Sequence, residues 1–337
     1  MKWRHNALLI AWIVGVHAQA SPITTLTFSP DGRALVSGRA RVVEVRSPTN
    51  GAVRQRWDIA LPKITAARFD GQGRFLALAG GVPGERGEVF LLSWPEGKPL
   101  YHASFPGDLA TSLDFSPDAS RLVVAGAQAQ AYVWNLPRED RPTTQRELGP
   151  PSITLSGHAG PVLAVAWDPA GGRITTAGAD RSIKVWSSDT GLAARTFTHH
   201  TETPNVLAFR PRAANPEPDA PSVCASGSDD RTVRIWQPGL GRMVRIIRKH
   251  QGPILCLAWM PDGSALFSGG SEGVLRRIDA ASDEVLDEWR GAGDWILALA
   301  IPSDGSRLAS GDASGQVQIW DIGKEKPAVH FRGPPGP

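Results

Sequence analysis

Two short stretches of the chain hold the side chains from which a hydrolase assembles a nucleophile, a base and an orienting acid. The first carries His158, Thr176 and Asp180; the second carries His200, Ser226 and Asp230. A histidine held between a carboxylate and a hydroxyl can take the hydroxyl proton and make the oxygen nucleophilic. That chemistry also needs an exposed hydroxyl and donors for an oxyanion, and the sequence has no G-x-S-x-G turn to present them. The pattern moreover occurs twice, ending each time on a tryptophan, Trp186 and Trp236. Catalysis needs one copy and a scaffold needs several, so both sets read as structural hydrogen bonding. Metal and cofactor chemistry has less to build on. Two cysteines, Cys224 and Cys256, cannot form a four-thiolate zinc site, an iron–sulfur ligand set or a disulfide framework, and no CxxCH is present to attach haem. The expectation is no catalytic residue, no metal and no cofactor.

Side-chain sets that recur need elements that recur. Seven segments read as a buried strand followed by a turn: ITTLTFSPDG from Ile23, ITAARFDGQG from Ile64, ATSLDFSPDA from Ala110, VLAVAWDPAG from Val162, PNVLAFRPRA from Pro204, ILCLAWMPDG from Ile254 and ILALAIPSDG from Ile296. Their anchors, from Phe28 to Ile301, stand 41 to 52 residues apart. No amphipathic stretch of helical length interrupts them, and Gly and Pro make up 36 and 28 of 337 residues, which suits short strands and tight turns. In the fourth unit the strand-like runs are Val162–Trp167, Arg173–Ala177, Ser182–Ser187 and Ala193–Thr198. A four-stranded sheet with two apolar faces is unstable alone, whereas seven stacked radially bury one another. The fold class is all-β, a seven-bladed β-propeller of four-stranded antiparallel blades. The blades fall at about 22–60, 61–106, 107–157, 158–199, 200–249, 250–291 and 292–333.

Segments SGSDDRTVRIW (Ser226–Trp236) and SGHAGPVLAVAW (Ser156–Trp167) resemble the WD-repeat propellers. The likeness runs along the whole chain after residue 20, strongest in units four and five. It implies a hydrogen-bonded set of His, Ser/Thr, Asp and Trp in a blade: His158, Thr176, Asp180 and Trp186 in the fourth, His200, Ser226, Asp230 and Trp236 in the fifth. The sixth unit keeps His250 and Ser268 but has Glu272 for the Asp and Ile278 for the Trp; the seventh has Ser314 for the Asp and Ala292 for the His. Units one to three lack the full set, so their blades are expected to be the looser part of the ring. Relatives in this family commonly close the ring with an N-terminal strand; here strand a of unit one starts at once, so closure is expected by packing of blade seven on blade one.

The first twenty residues read as an address. Lys2 and Arg4 precede ten apolar residues (Ala7–Val16) and an Ala18-Gln19-Ala20 cleavage pattern, the order of a secretory signal peptide and too short to span a membrane. Cleavage after Ala20 leaves 34 basic and 33 acidic side chains, so no charge argument favours nucleic acid or an anionic membrane. The chain reads as an exported bacterial member of the family, periplasmic or secreted, with no membrane span after cleavage, monomeric or weakly oligomeric.

Function has to sit on the loops. The upper face, built from d–a and b–c loops, gathers Arg39, Arg41, Arg86, Arg181, Arg231 and, at the channel rim, Trp295; arginines with a buried aromatic dominate interface energetics. Arg68 and Asp114 share one slot of strand a in adjacent blades and predict a salt bridge beside the channel. Three insertions, Val82–Gly87, Pro137–Pro151 and Arg210–Ser222, lengthen loops. Cys224 and Cys256 fall on different blades, too far apart for a disulfide, and read as buried thiols. The functional expectation is a non-enzymatic interaction scaffold presenting these loops to a protein partner. The alternative is a propeller enzyme, small-ligand binder or glycan binder acting at the channel mouth.

Overall fold

The computed structural model describes residues 21–137, 144–212, 220–290 and 293–332. The expected leader, residues 1–20, lies outside them. The described residues form 29 β-strands and no α-helix, so none has a helix long and apolar enough to cross a membrane. Blade one holds β1 (Thr25–Phe28), β2 (Leu35–Arg39), β3 (Val42–Arg46) and β4 (Val53–Asp58). Blade two holds β5 (Lys63–Phe69), β6 (Phe75–Val82), β7 (Arg86–Ser93) and β8 (Pro99–Pro106). Blade three holds β9 (Ala110–Phe115), β10 (Arg121–Gly126), β11 (Gln130–Asn135) and β13 (Ile153–Ser156), with β12 (Arg146–Glu147) between the last two. Blade four runs β14 (Val162–Trp167) to β17 (Ala193–Phe197), blade five β18 (Pro204–Phe209) to β21 (Arg242–Ile247), and blade six β22 (Ile254–Trp259) to β25 (Val285–Arg290). Blade seven runs β26 (Ile296–Ala300) to β29 (Val329–Arg332).

Each blade is antiparallel in chain order, strand a to strand d. Seven apolar clusters lie between them, one at every junction including that of blade seven with blade one. The junctions share a small-against-large pairing. A Cβ on Gly38 or Gly269 would come within 3.0 Å of the Cγ2 of Ile64 or Ile296, the isoleucine that opens strand a of the next blade. Gly227 meets Ile254 and Gly311 meets Ile23 in the same way. Where the next blade opens on the smaller Ala110 or Val162, the facing position is Ala79 or Ala125. The dense interior permits no other match, since an added methyl there has nowhere to go.

A bulge near the start of strand a provides the second tie. In blades two to seven the register slips by one residue there, at Thr65, Thr111, Leu163, Asn205, Leu255 and Leu297. A bulge re-aims the side chain of the extra residue. Thr65 Oγ1 donates to the Ala110 carbonyl at 2.6 Å and Thr111 Oγ1 to Val162 at 2.6 Å. Thr24 does the same to Ile64 at 2.7 Å, and Asn205 Nδ2 to Ile254 at 3.2 Å. These hydroxyls tie blades one to three, the blades without the full histidine set, each to its successor.

The ring closes without a clasp: among the described residues no strand precedes β1, and the outer strand of blade seven is its own β29. Ile23 N–H donates to Asp312 O at 3.1 Å, Arg307 donates to Pro48 O at 3.0 Å, and the Arg46 guanidinium lies 4.3 Å over the Phe331 ring.

Two insertions differ from their reading as plain loops. Val82–Gly87 extends a hairpin, with Val82 paired to Arg86 and Gly81 to Gly87. In the insertion after β11, of which residues 138–143 lie outside the described set, Arg146–Glu147 adds a parallel strand to the outer edge of blade two, against Tyr101 and His102. The edge of β8 offers free backbone groups that this short strand covers.

Candidate functional site

The structure brings both histidine sets together. In blade four the Asp180 carboxylate lies 3.0 and 3.1 Å from His158 Nδ1, Thr176 Oγ1 lies 2.7 Å from Nε2, and Trp186 Nε1 donates to the same hydroxyl at 2.8 Å. In blade five the equivalents are Asp230 to His200 Nδ1 at 2.7 Å, Ser226 to Nε2 at 2.7 Å and Trp236 to Ser226 at 2.8 Å. A carboxylate only accepts and an indole only donates. The proton therefore sits on Nδ1, Nε2 accepts from the hydroxyl, and the hydroxyl oxygen accepts from the indole. Thr176 and Ser226 are 0% exposed, so no substrate reaches them. Each aspartate also binds the loop entering strand a and the b–c turn: Asp180 accepts from Ala159 N and Ser182 N, Asp230 from Thr201 N and Thr232 N. Burial raises both carboxyl pKa values, but the bonds from histidine, hydroxyl and backbone more than offset it and hold both well below the usual carboxylate range.

Blade six reverses the order. Arg276, which sequence reasoning passed over in favour of Ile278, donates to His250 Nδ1 at 2.9 Å, and Ser268 Oγ lies 3.0 Å from Nε2. A guanidinium cannot accept, so here the ring proton sits on Nε2 and points at the serine. Burial, then the Arg276 charge, pushes His250 down to about 4. Glu272 keeps the aspartate's loop-holding part, accepting from Gln251 N and Gly252 N and pairing with Arg276 at 2.8 Å. In blade seven Trp320 still donates to Ser310 at 3.3 Å; Ala292 lies outside the described residues. Blade one replaces the set by charge. Arg46 stands in the tryptophan slot opposite Leu35, and Glu44 holds it at 2.8 Å and Arg39 at 3.1 Å.

That triad corrects one surface expectation. Arg39 is 4% exposed, because strand b runs through it and the hairpin turns only at Ala40–Arg41. It belongs to the interior and not to the upper face. The other upper-face residues are where the loops put them. Arg41, Arg86, Arg181 and Arg231 are exposed, and Trp295 is half-buried. Arg181 and Arg231 hold the same b–c turn position with φ of 66° and 65°, and Arg181 Nη1 reaches Thr201 O at 3.3 Å. Arg86 is shared between Glu85 at 3.4 Å and Glu88 at 3.2 Å. The expected Arg68–Asp114 salt bridge does not form. Asp114 faces forward and accepts from Trp167 N of the next blade at 2.8 Å, while Arg68 is exposed. Cys224 and Cys256 are both buried and unlinked, and burial pushes both thiols far up. Among the described residues no three His, Cys, Asp or Glu side chains group to hold a metal ion.

This arrangement, seven blades of which the fourth and fifth carry the full buried His–Asp–Ser/Thr–Trp set, with arginines on the loop tips, defines the WD-repeat class of propeller. The family model described as WD domain, G-beta repeat matches residues 13–41, 149–187, 192–237, 241–279 and 284–321, more than half of the chain, and the protein belongs to that family. The last four matches each take strand d of one blade with strands a to c of the next, so the sequence unit is offset from the blade and itself links neighbours. The chain is 25% identical over 271 residues to a guanine nucleotide-binding protein subunit beta of Solanum tuberosum, covering 71% of this chain and 70% of the relative. It is also 25% identical to periodic tryptophan protein 2 of Arabidopsis thaliana (78% of this chain, 27% of the relative) and to protein tipD of Dictyostelium discoideum (80% and 41%).

Proposed function

We propose that this protein is a non-enzymatic, exported scaffold that binds a protein partner through the upper face of its ring. The observation that carries the reading is the set of exposed arginines on that face, Arg41, Arg86, Arg181 and Arg231, with Trp295 half-buried at the rim. Arginine and tryptophan are the side chains that most often supply binding hot spots. Two of the arginines stand on left-handed turns, a conformation that non-glycine residues adopt at a cost and that a rigid blade must hold. The buried quartet hydroxyls speak against acyl-transfer chemistry, and the relatedness to a G-protein beta subunit supports a partner-binding role. Export rests on the leader pattern of residues 1–20.

The test is chemical cross-linking in the native cell, followed by capture of the tagged protein. Trp295→Ala and the Arg181→Ala/Arg231→Ala pair are expected to lose the partner, while Lys324→Ala on the opposite face retains it. Capture that is indifferent to the upper-face changes removes the proposal. Labelling of Thr176 or Ser226 by a fluorophosphonate would move the reading to a hydrolase. N-terminal sequencing of exported protein is expected to begin at Ser21.

A further inference from the structure

Two b–c turns of the upper face, in adjacent blades, hold the same side chain in the same unfavourable conformation. Arg181 of blade four and Arg231 of blade five each stand two residues ahead of strand c, with φ of 66° and 65°. Blades three, six and seven put Ala129, Gly273 and Gly315 at the equivalent place, also with positive φ. Small residues thus satisfy the bend, and a left-handed arginine adds a cost without helping it. Among the described residues the Arg231 guanidinium has no hydrogen bond or ion pair, and the Arg181 guanidinium bonds a carbonyl alone, Thr201 O at 3.3 Å. The next loop along, between blades five and six, adds exposed Arg248 and Lys249, with no carboxylate within 4 Å among the described residues. The acids beneath this track are committed: Asp180 and Asp230 to their histidines, Glu272 to Arg276, and Asp229 to Asn205 Nδ2 at 2.7 Å. Glu202 is the one exposed carboxylate among the described residues of these loops.

We propose that this track receives an acidic segment of the protein partner, lying extended across the tops of blades four to six with a carboxylate at every third residue. The inference rests on the upper-face reading above and names the chemistry of what binds there. The spacing comes from the fold. Neighbouring sheets stack about 10 Å apart and an extended chain rises about 3.3 Å per residue, so one blade corresponds to about three residues. Arginine suits the role, because its planar fork takes a carboxylate through two N–H groups and is more weakly hydrated than an ammonium. Four exposed cations against one exposed carboxylate also steer an acidic chain towards the track before contact, an effect that salt weakens.

Fluorescence anisotropy of the purified full chain with labelled peptides at low salt tests it. A glycine–serine peptide with glutamate at every third position is expected to bind saturably, and an isomer with its glutamates adjacent to bind more weakly. Arg181→Gln and Arg231→Gln should each weaken the spaced peptide by about threefold to fivefold, the worth of one exposed ion pair, and the double variant by about tenfold. Arg231→Lys, which keeps the charge, should retain most of the binding, and Lys324→Gln on the opposite face should bind like wild type. Added salt should weaken wild type more than the double variant. Absence of saturable binding, equal binding of the two peptides, or no loss in the double variant overturns the proposal. So does an oligothymidylate of matched charge that binds more tightly than the spaced peptide, which would assign the track to nucleic acid. If cross-linked capture depends on Arg181 and Arg231 while no peptide binds, the acidic assignment falls and the upper-face reading stands. Capture that ignores the upper face instead removes the reading on which this assignment rests.

Discussion

In blades four and five the order of protons in each quartet is dictated from its two ends, by an acceptor that cannot donate and a donor that cannot accept. Removing the acceptor leaves His158 or His200 with a buried N–H and two loops without their shared anchor. Asp180→Ala or Asp230→Ala should therefore lower the unfolding free energy by about 1–3 kcal/mol, read from urea melts, with no defect beyond stability. Both carboxyls sit below their unfolded value of 3.8. Their contribution is thus present above pH 4 and is lost as pH falls further. His250 acts earlier on the scale. Its folded value of about 4 lies below the unfolded 6.5, so between those limits the unfolded chain binds the extra proton. Stability should be complete above pH 6.5 and decline steadily towards pH 4, and His250→Gln should flatten that slope; an unchanged slope would assign it to other groups. The two quartets were legible because their residue types and spacings repeat. The blade-six variant was not, since Arg276 enters the set from strand c two residues before the slot that the repeat assigns to tryptophan. Arg234 has the matching place in blade five, 3.6 Å from Asp230, and is the internal signal that marks the position.

The inner strands of the blades could be read from apolar runs and turn residues, because a strand buried on both faces leaves a strong pattern, whereas outer strands such as β4 and β17 are largely exposed and carry less of it. What joins the strands across blades could not, since it depends on which residue is lifted out of the ladder. Thr65 and Thr111 look like ordinary strand threonines, and only the bulge shows that each hydroxyl belongs to the next blade; Thr24, just ahead of β1, makes the same bond to Ile64 without a bulge. They bear directly on blades one to three, the blades without the full histidine set. Thr65→Val keeps the shape and deletes one inter-blade bond, leaving the Ala110 carbonyl without it. A loss of about 1 kcal/mol is expected, with hydrogen-exchange protection falling first in β5 and β9. If protection in those strands holds, the bulge hydroxyls are not what keeps blades two and three together. Arg39 and the strand β12 were misread for a related reason. A two-residue hairpin leaves strand b one residue longer than a loop-based reading allows, and a polar Arg146-Glu147 pair carries no period by which to recognise a strand.

A ring without a clasp relies on the junction of its first and last blades being as good as the other six. That junction has a cluster of its own, in which Ile23, Leu26, Phe28 and Leu35 meet Ala298, Ala300, Ala309, Val317 and Ile319. The Ile23–Gly311 contact lies at its centre, where a Cβ on residue 311 would stand 2.8 Å from the Cβ of Ile23. Real side chains do not approach so closely, so one blade must shift. Gly311→Ala should cost about 1–3 kcal/mol. Because the strain falls where the two ends of the propeller meet, the unfolding transition should also broaden as blades one and seven separate before the rest. The remedy is visible at the junction of blades two and three, where Ala79 faces Ala110. Adding Ile23→Ala to Gly311→Ala rebuilds that pairing, and the double variant should be more stable than the sum of the two single losses predicts. A double-mutant cycle measures this coupling directly. Additive losses would mean that the small-against-large match is incidental and that the polar bonds at Asp312, Pro48 and Phe331 close the ring unaided.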